Sequence, residues 1–261
     1  MDDQVLLFES NGPIAYLTLN RPKAMNAMNL AMLAALDKCL DDIAARDDLR
    51  VVVMTGTGSA FCAGADLKEV LAGTTLPAGE ADFLDHASKV FNRLRSFPKP
   101  VIAALNGVTM AGGLELAMCA DIVVAAQSAA IGDAHANFGV YPGAGGAAVL
   151  PRLIPLNMAL YLLLTGKTLN ASQMQACGLV SEVHPDDQLA SAVTEIAERI
   201  AAKSPIALSR MKDVARAAAD KTQADALLHE QVMLRQHLRS ADIQEGLRAF
   251  AEKRAPQFIG R

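Results

Sequence analysis

Glu115 is the one charged residue between Val101 and Ala120, in the run VIAALNGVTMAGGLELAMCA. A carboxylate in such surroundings is either desolvated or strongly paired, and left alone it would cost several kcal/mol. Just before it, Ala111-Gly112-Gly113 opens an apolar run that reads as a helix. The first turn of a helix carries backbone N–H groups with no partner, and small residues let a ligand oxygen come close to them. An oxyanion-binding turn beside an acid/base group is the layout this spacing predicts. The plainer alternative is a Gly-rich buried helix whose Glu is satisfied by an arginine elsewhere. Two further segments carry chemistry. The Gly-rich stretch IGDAHANFGVYPGAGG (131–146) holds Asp133 and His135, its only titratable side chains apart from Tyr141. An imidazole titrates close to neutral pH and can give or take a proton. As a metal site the two are poor, because no third ligand lies nearby. FCAGAD (61–66) is a second run of small residues, and Asp66 is placed to cap the helix after it.

The elements that must position these groups follow from periodicity. Val5–Phe8 and Ile14–Leu19 flank Asn11-Gly12-Pro13 and predict a hairpin. Leu33, Leu36, Leu40 and Ile43 predict a helix over 30–45. Arg50–Met54, Val101–Leu105 and Asp121–Ala126 read as buried strands, with Asn106-Gly107 a turn and Ala81–Ser96 a helix. Residues 71–80 (LAGTTLPAGE) are a candidate mobile loop. One helix is expected over Leu150–Thr165, stopped by Gly166, and another over Ser172–Cys177 with Gly178 as its cap. From Gln188 on the chain reads as helix throughout, with breaks before Pro205, Thr222 and Ser240. A boundary is expected near 185–205, dividing a mixed α/β part (1–195) from a helical part (196–261) whose apolar stripes need covering.

Composition removes several classes of function. The chain has 261 residues, is 52% hydrophobic and 20% charged, and has a net charge of −4. That is enough for a sizeable core, and there is no global basic field for polyanions. Aromatics make up 4% with no Trp, so a base-stacking surface for nucleic acid is not expected. No apolar run reaches the length of a membrane span, and the N-terminus lacks a signal-peptide pattern. Cys39, Cys62, Cys119 and Cys177 are far apart and show no metal spacing, as expected for reduced thiols of a cytoplasmic protein.

Six segments in series, NGPIAYLTLNRPKAMNAMN, GSAFCAGADLKEV, PKPVIAALNGVTMAGGLELAMCADIVVA, PGAGG, LLLTGKTLNASQMQACGLVSEV and EGLRAFAEKR, resemble the enoyl-CoA hydratase/isomerase (crotonase) superfamily. The resemblance implies an α/β fold, a ββα spiral with two roughly perpendicular sheets and a helical C-terminal region that assembles trimers or hexamers. It implies acyl-CoA thioesters as substrates, with no cofactor beyond that coenzyme A and no metal. It also assigns positions. Ala63 and Gly112 stand where the family supplies two backbone N–H groups to the thioester oxygen. Ala63, Gly64, Ala65 and Asp66 would line the path of CoA and acyl chain. Phe250 and Lys253 stand where a neighbouring subunit contributes to the CoA site. Arg21, Lys23 and Lys68 are the nearest cations by position, and Leu67–Asp85, Phe138, Tyr141 and the C-terminal helices the expected pocket walls. Glu115 matches the first catalytic carboxylate of the hydratases.

The second carboxylate does not match. Its slot, counted back from PGAGG, holds His135 between Ala134 and Ala136. Three outcomes follow. His135 substitutes as proton donor to the α-carbon; or the role is lost or passes to Asp133, giving an isomerase or another reaction of the superfamily, such as hydrolysis, decarboxylation or dehalogenation; or His135 is a loop histidine bonded to a carbonyl, in a protein that binds acyl-CoA with little turnover.

Overall fold

The structure is a computed structural model that describes residues 4–73 and 81–261. In chain order, strands β1 (Leu6–Asn11) and β2 (Ile14–Leu19) precede helix α1 (Leu30–Ala44), then come β3 (Val51–Gly56) and β4 (Ala60–Cys62). Helices α2 (Leu67–Gly73) and α3 (Phe83–Arg95) lead to β5 (Val101–Leu105), β6 (Val108–Met110) and the short α4 (Gly112–Ala117). Strands β7 (Ile122–Ala126) and β8 (Ala130–Gly132) are followed by α5 (Leu150–Leu153), α6 (Leu156–Thr165), β9 (Thr168–Asn170), α7 (Ala171–Ala176) and β10 (Glu182–His184). Helices α8 (Leu189–Ala201), α9 (Pro205–Ala218), α10 (Gln223–His237) and α11 (Ala241–Ala251) complete the chain.

A single rule generates the architecture. Strands β3, β5 and β7 are each followed, after a few residues, by a short strand (β4, β6, β8) that belongs to a different sheet. The long ones form one sheet in the order β1-β2-β3-β5-β7-β10, antiparallel at the hairpin and parallel beyond it. The short ones form a second sheet, β4-β6-β8-β9. The small-residue run at 61–66 thus begins in a strand, and the second sheet is built from three-residue pieces that carry no readable alternation. Strands β3 and β5 are apolar on both faces because both faces are covered. Val52, Met54, Val101, Ala103 and Leu105 face the main core with α1 and α3. Val51, Val53, Ile102 and Ala104 pack against Leu189, Val193 and Ala197 of α8.

The helix starts obey local chemistry. Asn29 caps α1 by accepting from the Met32 N–H, and Asp82 and Asp85 form a reciprocal capping box at α3. The helix expected over 150–165 is two helices. Pro155 has no N–H to give and holds Ile154 extended, at φ −130° and ψ 163°, so the chain breaks there. The loop expected over 71–80 lies outside the described residues beyond Gly73, where α2 ends.

Helices α9 and α10 bury no side chain completely, whereas α11 buries Asp242 and Ala249. Asp242 accepts from the Ser204 hydroxyl at 2.5 Å and from the Ile259 and Gly260 N–H groups at 2.8 and 3.0 Å, tying the C-terminal segment to the start of α9. Asp242→Ala leaves these donors without their acceptor. It is expected to cost about 3 kcal/mol, read as a lower urea midpoint with the core sheets intact.

Candidate active site

A cavity of about 420 Å³ lies among β6, α2, α3, α4 and the 134–144 segment, and Glu115, His135, Ala63, Ala65 and Gly112 line it. Each arrives by a separate local cause.

Gly113 lets α4 start against β4. A Cβ there would stand 2.0 Å from the Cys62 carbonyl oxygen, so no other residue permits this approach. The residue before α4, Ala111, sits at φ +50° and ψ −121°, outside the usual ranges for an L-residue, and its N–H donates to the Gly132 oxygen at 3.1 Å. The strain is held by that bond and by the packing behind it.

Residues 63–66 are stitched to residues 25–28. The Ala63 N–H donates to the Met25 carbonyl at 3.0 Å, Met28 donates to Gly64 at 2.8 Å, and Asp66 donates to Met28 at 2.7 Å. The Ala63 N–H is therefore occupied, contrary to its expected role as an oxygen donor. Between the two donors Ala63 and Asp66, the Ala65 amide has no partner among the described residues. A methyl placed on Gly112 would lie 3.3 Å from the Ala65 nitrogen, so the Ala65 and Gly112 amides stand side by side in the cavity wall. The 25–28 turn is itself fixed by Asn26, fully buried at φ +55°. Its side chain donates to Ala60 and Thr57 and accepts from the Arg21 N–H. Nothing local in the sequence marks Asn26, since its burial and left-handed backbone exist only in the folded chain.

Glu115 is 3% exposed. Its Oε1 accepts two backbone N–H groups, from Ala144 and Gly146, at 2.8 Å each. The arginine expected in the plainer reading is not its partner: Arg95 donates to the Ala144 carbonyl instead. PGAGG is thus a clamp for the carboxylate, and Oε2 remains for whatever occupies the cavity.

His135 opens a short 3-10 turn, His135–Phe138, after Ala134 at φ +59°. The reversal folds its ring back onto Asp133: Nδ1 lies 2.9 Å from Asp133 Oδ1. Burial works against a charge on the ring. The Asp133 carboxylate and, more weakly, Glu115 outweigh it and hold the His135 pKa above its ordinary value. The carbonyl partner expected for a loop histidine is therefore a carboxylate instead. Among the described residues, no group of three His, Cys, Asp or Glu side chains is placed to hold a metal ion.

The remaining residues divide. Asp66 accepts from the Lys68 N–H at 3.2 Å, as a cap, and pairs with Arg21 at 2.9 Å; Arg21 holds its carboxyl below the usual range. Arg21 is therefore engaged, while Lys23 and Lys68 are exposed. Leu67, Phe83, Leu84, Phe138 and Tyr141 line the cavity as expected, but the C-terminal helices contribute none of its described lining. Phe250 and Lys253 sit exposed at the end of α11 and do not line it either.

The chain is similar to known proteins over its whole length. The sequence family described as enoyl-CoA hydratase/isomerase matches residues 9–261. A probable enoyl-CoA hydratase of Mycobacterium bovis is 35% identical over 261 residues, covering all of both chains. A 2,3-dehydroadipyl-CoA hydratase of Escherichia coli is 37% identical over 248 residues, covering 95% of this chain and 96% of the other. A crystal structure of an enoyl-CoA hydratase from Bacillus anthracis superposes with a TM-score of 0.91 at 34% identity, covering 99% of this chain and 100% of that one. The ββα spiral, the clamped Glu115 and these full-length similarities together place the chain in the enoyl-CoA hydratase/isomerase family.

Proposed function

We propose that this protein adds water across the double bond of 2-enoyl-CoA thioesters. The observation that carries this is the clamped Glu115 carboxylate facing the same cavity as the paired Ala65 and Gly112 amides. The two N–H groups receive the thioester oxygen, and they stabilise it most when the enolate forms. Glu115 takes a proton from a water molecule as its oxygen attacks the β-carbon. His135, the other titratable group in the buried part of the cavity, delivers a proton to the α-carbon. Ala65 replaces Ala63 as the first donor.

The cavity supports a further statement about the acyl group. Its described wall is Met, Leu, Val, Phe, Ala and Gly apart from Glu115, His135 and Tyr141. A second carboxylate on the acyl chain would enter it without a counter-charge, which is unfavourable. The substrate is accordingly an uncharged acyl chain. The coenzyme A portion stays outside, near Lys23 and Lys68, with Phe250 and Lys253 supplied by a neighbouring copy. Copies associate through the exposed apolar residues of α9 and α10, among them Met211, Leu227, Leu228 and Leu234. The four unpaired cysteines suit a reducing cytoplasm.

The test is the loss of enoyl-thioester absorbance with purified protein. Crotonyl-CoA and longer straight-chain 2-enoyl-CoAs are expected to react, and 2,3-dehydroadipyl-CoA at least about tenfold less well in kcat/KM. Binding of CoA esters without any absorbance loss would overturn the hydratase reading. Equal turnover of the dicarboxylic substrate would overturn the uncharged-chain assignment alone.

A further inference from the structure

Asp133 is 1% exposed, and its two oxygens have different surroundings. Oδ1 meets His135 Nδ1 at 2.9 Å and, more distantly, the His135 N–H at 3.3 Å. Oδ2 is buried and has no hydrogen-bond partner. It lies against Gly146, where a Cβ would stand 2.6 Å from it, and the Gly146 N–H is one of the two that hold Glu115. A buried carboxylate with one unpartnered oxygen needs a counter-charge, and among the described residues the imidazole is the side chain hydrogen-bonded to it.

We propose that Asp133 is the positioning residue for His135, and that the pair serves as one proton-transfer unit whose working atom is Nε2. This rests on the assignment of the cavity to enoyl-CoA thioesters. The Asp133 carboxylate fixes a proton on Nδ1, which sets the ring's orientation and leaves Nε2 as the nitrogen that exchanges its proton. Protonated, the pair has no net charge, so it can sit beside the Glu115 carboxylate without adding to the anionic charge there. In the forward reaction the water oxygen bonds to the β-carbon, and one water proton passes to Glu115. The double-bond electrons move into the enolate, and the Nε2 proton then bonds to the α-carbon. Glu115 afterwards loses its proton to solvent and Nε2 regains one, so one water molecule is consumed and nothing else changes. Of the groups around the ring, Asp133 and Glu115 act on its charge. Tyr141 shares the cavity, and α6, packed on the 135–138 turn, carries only Tyr161 among titratable residues.

Two measurements on the full-length protein test this. The first is the NMR titration of the His135 ring, assigned by its loss in His135→Gln, in wild type and Asp133→Asn. The second is the pH profile of kcat for crotonyl-CoA hydration in the same pair. Asn keeps an oxygen for Nδ1–H but removes the charge. The ring is expected to titrate lower by about one pH unit or more, a tenfold change in proton affinity. Because the protonated ring is the donor, the alkaline limb of kcat should move down by the same amount, with KM little changed. A ring that titrates alike in both proteins overturns the proposal, as does an alkaline limb that stays while the ring moves. If Asp133→Asn does not fold, the wild-type titration decides: a ring that titrates in the ordinary histidine range or below overturns the pairing. A protein with no hydration activity defeats the substrate assignment, and the ring titration then still decides whether the pair exists.

Discussion

Glu115→Gln is expected to lower kcat for 2-enoyl-CoA hydration by about 10³-fold and to leave KM within a small factor of wild type. The amide has the shape of the carboxylate, and its oxygen can still accept from Ala144 and Gly146, so the PGAGG clamp and the fold survive. What is lost is the capacity to take a proton from water while the β-carbon is attacked. Because that interaction exists only as the transition state forms, kcat and kcat/KM should fall together. Steady-state kinetics beside a thermal unfolding curve make the check. Retained turnover with an unchanged melting temperature would remove Glu115 from the chemistry. Loss of both activity and folding would mark it as a structural residue of the clamp.

Gly113→Ala should be nearly as damaging, although Gly113 contacts no substrate. The added methyl would lie 2.0 Å from the Cys62 oxygen and 2.9 Å from the Cys62 Cβ. Either α4 or β4 must then move, and the Gly112 amide separates from that of Ala65. Loss of one such donor raises the barrier by about 3 kcal/mol, or about 10²-fold in kcat/KM. The effect belongs to the transition state, so a thioester analogue that carries an enolate-like oxygen should lose affinity in parallel. Gly246→Ala on α11, where the methyl would meet nothing nearer than 3.7 Å, is the control and should keep wild-type turnover.

The contrast between these two positions shows what a linear reading captures. Glu115 is conspicuous in sequence because a charge in an apolar run is costly wherever the run folds. Gly113 is one glycine among 18, and only its distance from Cys62 marks it out. The same holds for strands. β3 and β5 are legible as unbroken apolar runs since both faces are covered. The three-residue strands β4, β6, β8 and β9 are too short for alternation, and long-range pairing alone makes them strands.

By itself, the sequence determined the order of the long strands and of most helices, the helical C-terminal part, the place of Glu115 and the presence of a histidine where a second carboxylate was expected. These depend on local quantities: apolar periodicity, caps, and the price of a buried charge. Tertiary structure decided three things. It left the Ala65 amide free among the described residues, because pairing with residues 25–28 takes the N–H groups of Ala63 and Asp66. It gave Glu115 two backbone donors from a loop 29 and 31 residues away instead of an arginine. And it folded His135 back onto Asp133 through the left-handed turn at Ala134. Each depends on the direction in which a backbone group or ring points, and that direction is set by the segment packed against it.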